Sequence, residues 1–412
     1  MSRVTSINQY LKNMLYKARP QSNTFSKLRR AFGDPVSAIK PNPVFKAIPP
    51  DHTQPDNLNY DIANILPADQ LAAINQAGKL VFHSVGDTGG ISGTDIQDEI
   101  AGQMEDQIRN AASLGEAPAF FYHLGDVVYY NGESGDYKPQ FYDPYQSYPA
   151  PIFAIPGNHD GDNRVLPKDP PDSEPPLTGF FLNFCAPKRE PSTDSPYRHI
   201  IDQPWPYWTL NTPFITIIGL YSNVDGSLDP SGSSSHNQPQ YNWFVSQLKA
   251  ADPDKCLLLA VHHPPFSMDT THGGYQDILD AIDQASAEAG RSPDAVFTGH
   301  VHNYQRYTRT VNGRQYPYVI AGAGGYANTY KSMHKLQQDP NTADGVIPQN
   351  FQTTRPDVVL ANYNTSNPGF LRLTVDANNL KGEYFINQFD NSPIPADPFD
   401  TFNLNWKTGV IA

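Results

Sequence analysis

The stretch KCLLLAVHHPP, residues 255–265, sets an unbroken apolar run against two adjacent histidines. A strand with one wet face alternates polar and apolar side chains. A run such as Leu257–Leu258–Leu259–Ala260–Val261 instead fits a strand covered on both faces. The pattern recurs along the chain. KLVFHSV (79–85) ends at GDTGG, APAFFYHL (117–124) at GDVVYY, PIFAI (151–155) at PGNHD, and DAVFT (294–298) at GHVH. PFITIIGLYS (213–222) reads as a further strand, as do segments within YPYVIAGAGG, GFLRLTV and LKGEYFINQ nearer the C-terminus.

Helical spacing falls between these runs. Ile96, Ile100, Met104 and Ile108 mark one face of a helix near 94–113, with Gly115 just beyond its end. Further helices are expected around 238–250 and 275–289. Strands alternating with helices make the fold class α/β, with antiparallel strands added. In such sheets ligands bind beyond the carboxyl ends of the strands. Five separate clusters of Asp, Asn and His fall there.

Composition narrows the function. The 412 residues can bury a large core, and no stretch is long and apolar enough to span a bilayer. Two cysteines, Cys185 and Cys256, exclude a disulfide framework and argue against a thiolate metal site. Net charge is −13, yet residues 1–50 hold nine Lys or Arg and a single acid, Asp34. The remainder is therefore strongly acidic, which argues against nucleic acid as a partner. The leader carries a short amphipathic segment (Ile7, Tyr10, Leu11, Met14, Leu15) and the Arg29–Arg30 pair, without the apolar core of a secretory signal. Cytoplasmic localisation is the default expectation, and export with a trimmed or unusual leader is the alternative. Oligomeric state is left open.

Three segments follow: a basic N-terminal arm, partly helical or irregular, over 1–77; a catalytic domain over 78–390; and a C-terminal tail over 391–412. Two insertions interrupt the domain. Residues 161–212 hold ten prolines with Trp205, Tyr207 and Trp208, and residues 326–366 are similarly irregular. Loops this long inside a domain are functional or disordered, and these are candidate pocket walls.

Together the strand-end clusters supply Asp87, Asp126, Asn158, His262, His300 and His302. Two cations about 3.5–4 Å apart need a shared anion, and Asp126 is the natural bridging carboxylate. Asp87, Tyr129 and His302 beside it would make an oxygen-rich site suited to iron. Asn158, His262 and His300 would make a neutral site suited to zinc, manganese or iron.

GDTG (86–89), GDVVY (125–129), GNHD (157–160), LAVH (259–262) and GHVH (299–302), in this order, resemble the metal-binding blocks of calcineurin-like metallophosphoesterases, most of all the purple acid phosphatases. Most of that superfamily has a histidine two residues after the first aspartate, where this chain has Gly89. The purple branch has a tyrosine three residues after the bridging aspartate, and here that residue is Tyr129. The resemblance runs from about 79 to 306. It implies a four-layer α/β/β/α sandwich with mixed sheets and long loop insertions. It further implies two metal ions: iron held by Asp87, Asp126, Tyr129 and His302, and zinc, manganese or iron held by Asp126, Asn158, His262 and His300. His159 and His272 would bind substrate and protonate the leaving group, with His263 in the pocket. The activity implied is hydrolysis of phosphate monoesters through a metal-bound hydroxide, with a small phosphorylated substrate. A phosphodiesterase or nucleotide-cleaving enzyme is the alternative, and a non-catalytic binding protein on the same fold a remote one. Plant-type members carry a β-sandwich domain ahead of the catalytic one, which residues 1–78 are too short to supply.

Several residues invite plainer readings. His83 and His123 lie inside strands and read as hydrogen-bonded core residues. Arg306 could meet phosphate or sit in a structural salt bridge. Asp160 could orient His159 or cap its turn. His52, His199, His236 and His334 read as surface or loop residues without partners.

Overall fold

In the computed structural model, residues 32–36, 48–49, 52–90, 93–161, 174–223, 228, 238–389 and 394–412 are described. The amphipathic segment at 7–15, the Arg29–Arg30 pair, His236 and part of the first insertion lie outside them.

Two mixed sheets carry the architecture. The smaller is built on three parallel strands, β2 (Lys79–Val85), β3 (Phe121–His123) and β4 (Ile152–Ala154). The meander β13 (Gly369–Asp376), β14 (Asn379–Ile386), β15 (Asp400–Asn405) and β16 (Val410–Ile411) extends it antiparallel from β2. The larger sheet has parallel β6 (Ile215–Leu220), β7 (Cys256–Val261), β8 (Ala295–Thr298) and β10 (Arg314–Ala321) at its centre. On one side stand β5 (Trp208–Asn211) and β1 (Asn59–Asp61), and on the other β9 (Tyr304–Val311), β12 (Val358–Asn364) and β11 (Phe351–Gln352).

The apolar run of β7 explains how the layers stack. Cys256, Leu258 and Ala260 join the core that also contains the smaller sheet, while Leu257, Leu259 and Val261 face the opposite way. There they meet α5 (Gln238–Ala250) and α6 (Gln276–Ala289), which come after α4 (Thr178–Phe184) in the chain, through Phe244, Leu248, Ile278 and Ile282. On the far side, α2 (Asp95–Arg109) buries Ile96, Ile100 and Met104 in the core of the smaller sheet. Helix, sheet, sheet, helix is the sandwich expected. Between the sheets Tyr122 stacks on Trp208 and Tyr304 on Tyr384.

Some segments differ from their sequence reading. Helix α2 stops at Arg109 rather than 113. Gly115 does not cap it: a Cβ there would lie 2.6 Å from the Ala73 carbonyl of α1 (Ala68–Ala77) and 2.7 Å from Ala77 Cβ, so close approach to α1 is what glycine permits. Residues 59–61, read as arm, form β1 and pair in parallel with β5. Residues 400–405 and 410–411, read as tail, complete the smaller sheet. Trp205, Tyr207 and Trp208 are buried in the core. No helix among the described residues is long and apolar enough to cross a membrane.

Candidate metal centre

The carboxyl ends of β2, β3 and β4 in one sheet and of β7 and β8 in the other converge. Asp87 follows β2, Asp126 and Tyr129 follow β3, and Asn158 opens the short helix α3 (Asn158–Gly161) after β4. His262 follows β7, and His300 and His302 follow β8. All seven side chains are buried. Asp87, Asp126 and His300 adopt left-handed backbone conformations, with φ of 58°, 54° and 68°. Non-glycine residues in this region cost about 1–3 kcal/mol each and gather where function demands a particular side-chain direction. Here the turns bring the three side chains together.

Tyr129 lies at the centre of one half. Its hydroxyl donates toward Asp87 Oδ1 and Asp126 Oδ2, 3.1 Å from each, and lies 3.3 Å from His302 Nε2. His302 Nε2 is 3.4 Å from Asp87 Oδ1. In the other half, Asn158 Oδ1 lies 3.1 Å from His262 Nε2 and 2.8 Å from His300 Nδ1. Asp126 faces both halves, since its Oδ2 is also 3.3 Å from His262 Nε2. The far nitrogens of the two imidazoles are occupied: His262 Nδ1 by the Leu124 carbonyl at 2.8 Å, His300 Nε2 by the Tyr275 hydroxyl at 2.8 Å. Such outer partners fix the tautomer and leave the inner nitrogens facing Asn158 and Asp126.

Electrostatics reflect two carboxylates packed into a dry pocket. Burial pushes the Asp87 carboxyl up against the pull of His302. Burial acts on Asp126 too, but His262 and His159 outweigh it and hold that carboxyl far below its ordinary range. His262 is correspondingly pushed up to about 9, attraction to Asp126 overcoming its burial. Carboxylate, phenol, amide and imidazole donors turned inward fit cations. Ligand atoms of Asp126, His262 and His300 all lie within 4.8 Å of one another.

The remaining candidates surround this cluster. The His159 backbone N–H donates to Asp126 Oδ1 at 2.8 Å, and its Nδ1 lies 2.8 Å from the Tyr130 carbonyl. The His263 ring lies 4.4 Å from that of His300, with Nδ1 on Ser222 Oγ at 2.8 Å. His272 lies 4.5 Å, ring to ring, from His300. The Asp160 carboxylate accepts from the Val127, Val128 and Gly157 N–H groups, bracing the turn that carries Asp126 against its own. Arg306 pairs with Asp400, 2.7 Å away. His83 meets Tyr148 and Gln107, and His123 meets Thr88.

Tyr326 and His334 went unread at the site, as did Tyr275 beside His300. Tyr326 stacks on Tyr129 at 4.1 Å and donates its backbone N–H to the Asp87 carbonyl. It follows the carboxyl end of β10, so the strand-end rule that found the other clusters also points to it. His334, read as a loop residue, stacks on His302 at 4.3 Å. The two backbones are tied as well: His334 N–H donates to the His302 carbonyl at 3.1 Å, and His302 N–H donates to His334 Nδ1 at 3.2 Å. Nothing local in the 326–366 insertion signals this.

The family model described as calcineurin-like phosphoesterase matches residues 82–304. Purple acid phosphatase 21 of Arabidopsis thaliana is 29% identical over 131 residues, which are 30% of this chain and 29% of that protein. Purple acid phosphatase 15 of the same plant is 26% identical over 223 residues, 52% of this chain and 35% of the relative. The chain thus spans about a third of the length of either. The structure of purple acid phosphatase PPD1 from yellow lupin (Lupinus luteus) superposes with a TM-score of 0.51 at 16% identity, over 79% of this chain and 54% of that one. With more than half its length matched by the family model and the strand-end residues gathered at one point, the chain belongs to the calcineurin-like phosphoesterase family.

Proposed function

We propose that the chain is a dinuclear metal-dependent phosphoesterase that hydrolyses phosphate monoesters in the manner of an acid phosphatase. The observation that carries this is the position of Tyr129, whose hydroxyl is shared between Asp87 and Asp126 while position 89 is glycine. Asp87, Asp126, Tyr129 and His302 would hold one cation, with iron suited to the phenol and carboxylates. Asp126, Asn158, His262 and His300 would hold the other as zinc, manganese or iron. When bound, the two cations acidify a coordinated water and polarise a phosphoryl oxygen.

The chain's own residues do the rest. His159 is held by Nδ1–H donating to the Tyr130 carbonyl, so Nε2 is the nitrogen that meets the phosphate. In its protonated form that nitrogen passes a proton to the leaving alkoxide. His272 and His263 supply further polar contacts beside His300. The Tyr129, Tyr326, His302 and His334 rings pack together on the side of the site where iron would be held.

Replacing Asp126 by Asn tests the reading. Loss of phosphomonoester hydrolysis together with fewer than two metal ions per chain is expected. Full activity with unchanged metal content would overturn it.

A further inference from the structure

A broad cleft lies at the opposite end of the smaller sheet, where the segments entering β3 and β4 meet the start of α1, the end of α2 and the loop over 189–201. Its volume is about 730 Å³. The chain carries 42 acidic residues against 29 Lys and Arg, yet no aspartate or glutamate lines this cleft. Arg109, Arg189, Arg198 and His199 do.

The arginines differ in what holds them. Arg109 is paired with Glu105 of its own helix at 2.9 Å. Arg198 is buried and donates to the Tyr145, Tyr148 and Ala150 carbonyls, neutral acceptors, while Glu105 acts on its charge without forming an ion pair with it. Arg189 is exposed and donates to the Ile65 carbonyl, at 3.4 Å. Among the described residues no carboxylate lies within salt-bridge distance of Arg189 or Arg198. At the margin Tyr197 is 72% and Leu114 53% exposed, and Ile65, Leu66 and Ile108 add apolar wall.

We propose that this cleft binds a small organic anion with an aromatic or apolar body. Guanidinium groups with no carboxylate in direct contact suit a carboxylate, phosphate or sulfonate, which also relieves the cost of burying Arg198. Tyr197 and the apolar wall suit the body of such a ligand. The candidate metal centre lies at the carboxyl ends of the same strands, so a ligand here occupies a second site.

The test is a fluorescence titration of the full chain with 8-anilinonaphthalene-1-sulfonate and with its uncharged counterpart, N-phenyl-1-naphthylamine. Saturable binding of the sulfonate is expected, about tenfold tighter than the neutral probe, as one charge-assisted hydrogen bond provides. Arg189→Ser and Tyr197→Ala should each weaken it while phosphoester hydrolysis is unchanged, and Asp126→Asn should leave it unaltered. Equal affinity for the two probes, unchanged affinity in both cleft variants, or loss of binding in Asp126→Asn would overturn the proposal.

Discussion

The ring of Tyr129 occupies the space that a side chain at position 89 would need: a Cβ built on Gly89 would lie 2.9 Å from Tyr129 Cδ2 and 2.6 Å from Gln140 Oε1. Gln140 in turn brackets the tyrosine backbone, accepting from Tyr129 N–H at 2.8 Å and donating to its carbonyl at 2.6 Å. A side chain at position 89 therefore meets both the Tyr129 ring and the Gln140 amide that holds it. Gly89→Ala should destabilise the fold by about 1–3 kcal/mol through overpacking. Urea unfolding checks this, and the cost should fall in a Tyr129→Ala background.

Tyr275 acts on the centre through His300, whose Nε2 its hydroxyl engages at 2.8 Å. Outer partners of this kind are worth about 10–100-fold in metal affinity. Tyr275→Phe should accordingly lose metal to a chelator at lower concentration than the parent, with the fold intact by circular dichroism.

Asp400 joins the two sheets. It stands on β15 of the smaller sheet and accepts from Arg306 Nε at 2.7 Å and Nη2 at 2.9 Å, and from the Tyr304 hydroxyl at 2.7 Å, both residues on β9 of the larger. Breaking a buried pair by removing one partner costs about 3–5 kcal/mol. Asp400→Ala should lower the thermal midpoint strongly while leaving metal content per folded chain unchanged, as measured by calorimetry and metal analysis.

Acid should weaken the fold through His83. Burial holds this ring down at about 3, against 6.5 for the free side chain. Between those values the unfolded chain binds the extra proton, so stability is complete above about pH 6.5 and is lost as pH falls toward 3. His83→Gln should flatten that part of the stability–pH curve, a change read by denaturant unfolding at several pH values.

Strands flanked by glycine-rich turns were legible because local periodicity reports them: the run at 79–85 is β2 residue for residue, and the helix at 238–250 is α5. Six of the ligand candidates were legible for the same reason, since each follows a strand end, whereas Tyr129 was picked out by its spacing from Asp126 in the family resemblance. Strand β9, YQRYTRTV, carries polar residues on both faces and was hidden from that logic. Strand β15 was missed because its anchor, Arg306, lies 94 residues away. His334 and Tyr326 gain their roles only through packing against His302 and Tyr129, contacts that no local pattern encodes.

The most direct measurement is a pair of initial rates on metal-analysed protein, with an aryl phosphate monoester against the corresponding diester from acid to alkaline pH. The account predicts two metal ions per chain and faster monoester hydrolysis, greatest under acid conditions. Protein loaded with two metals that prefers the diester, or that hydrolyses neither, would contradict it.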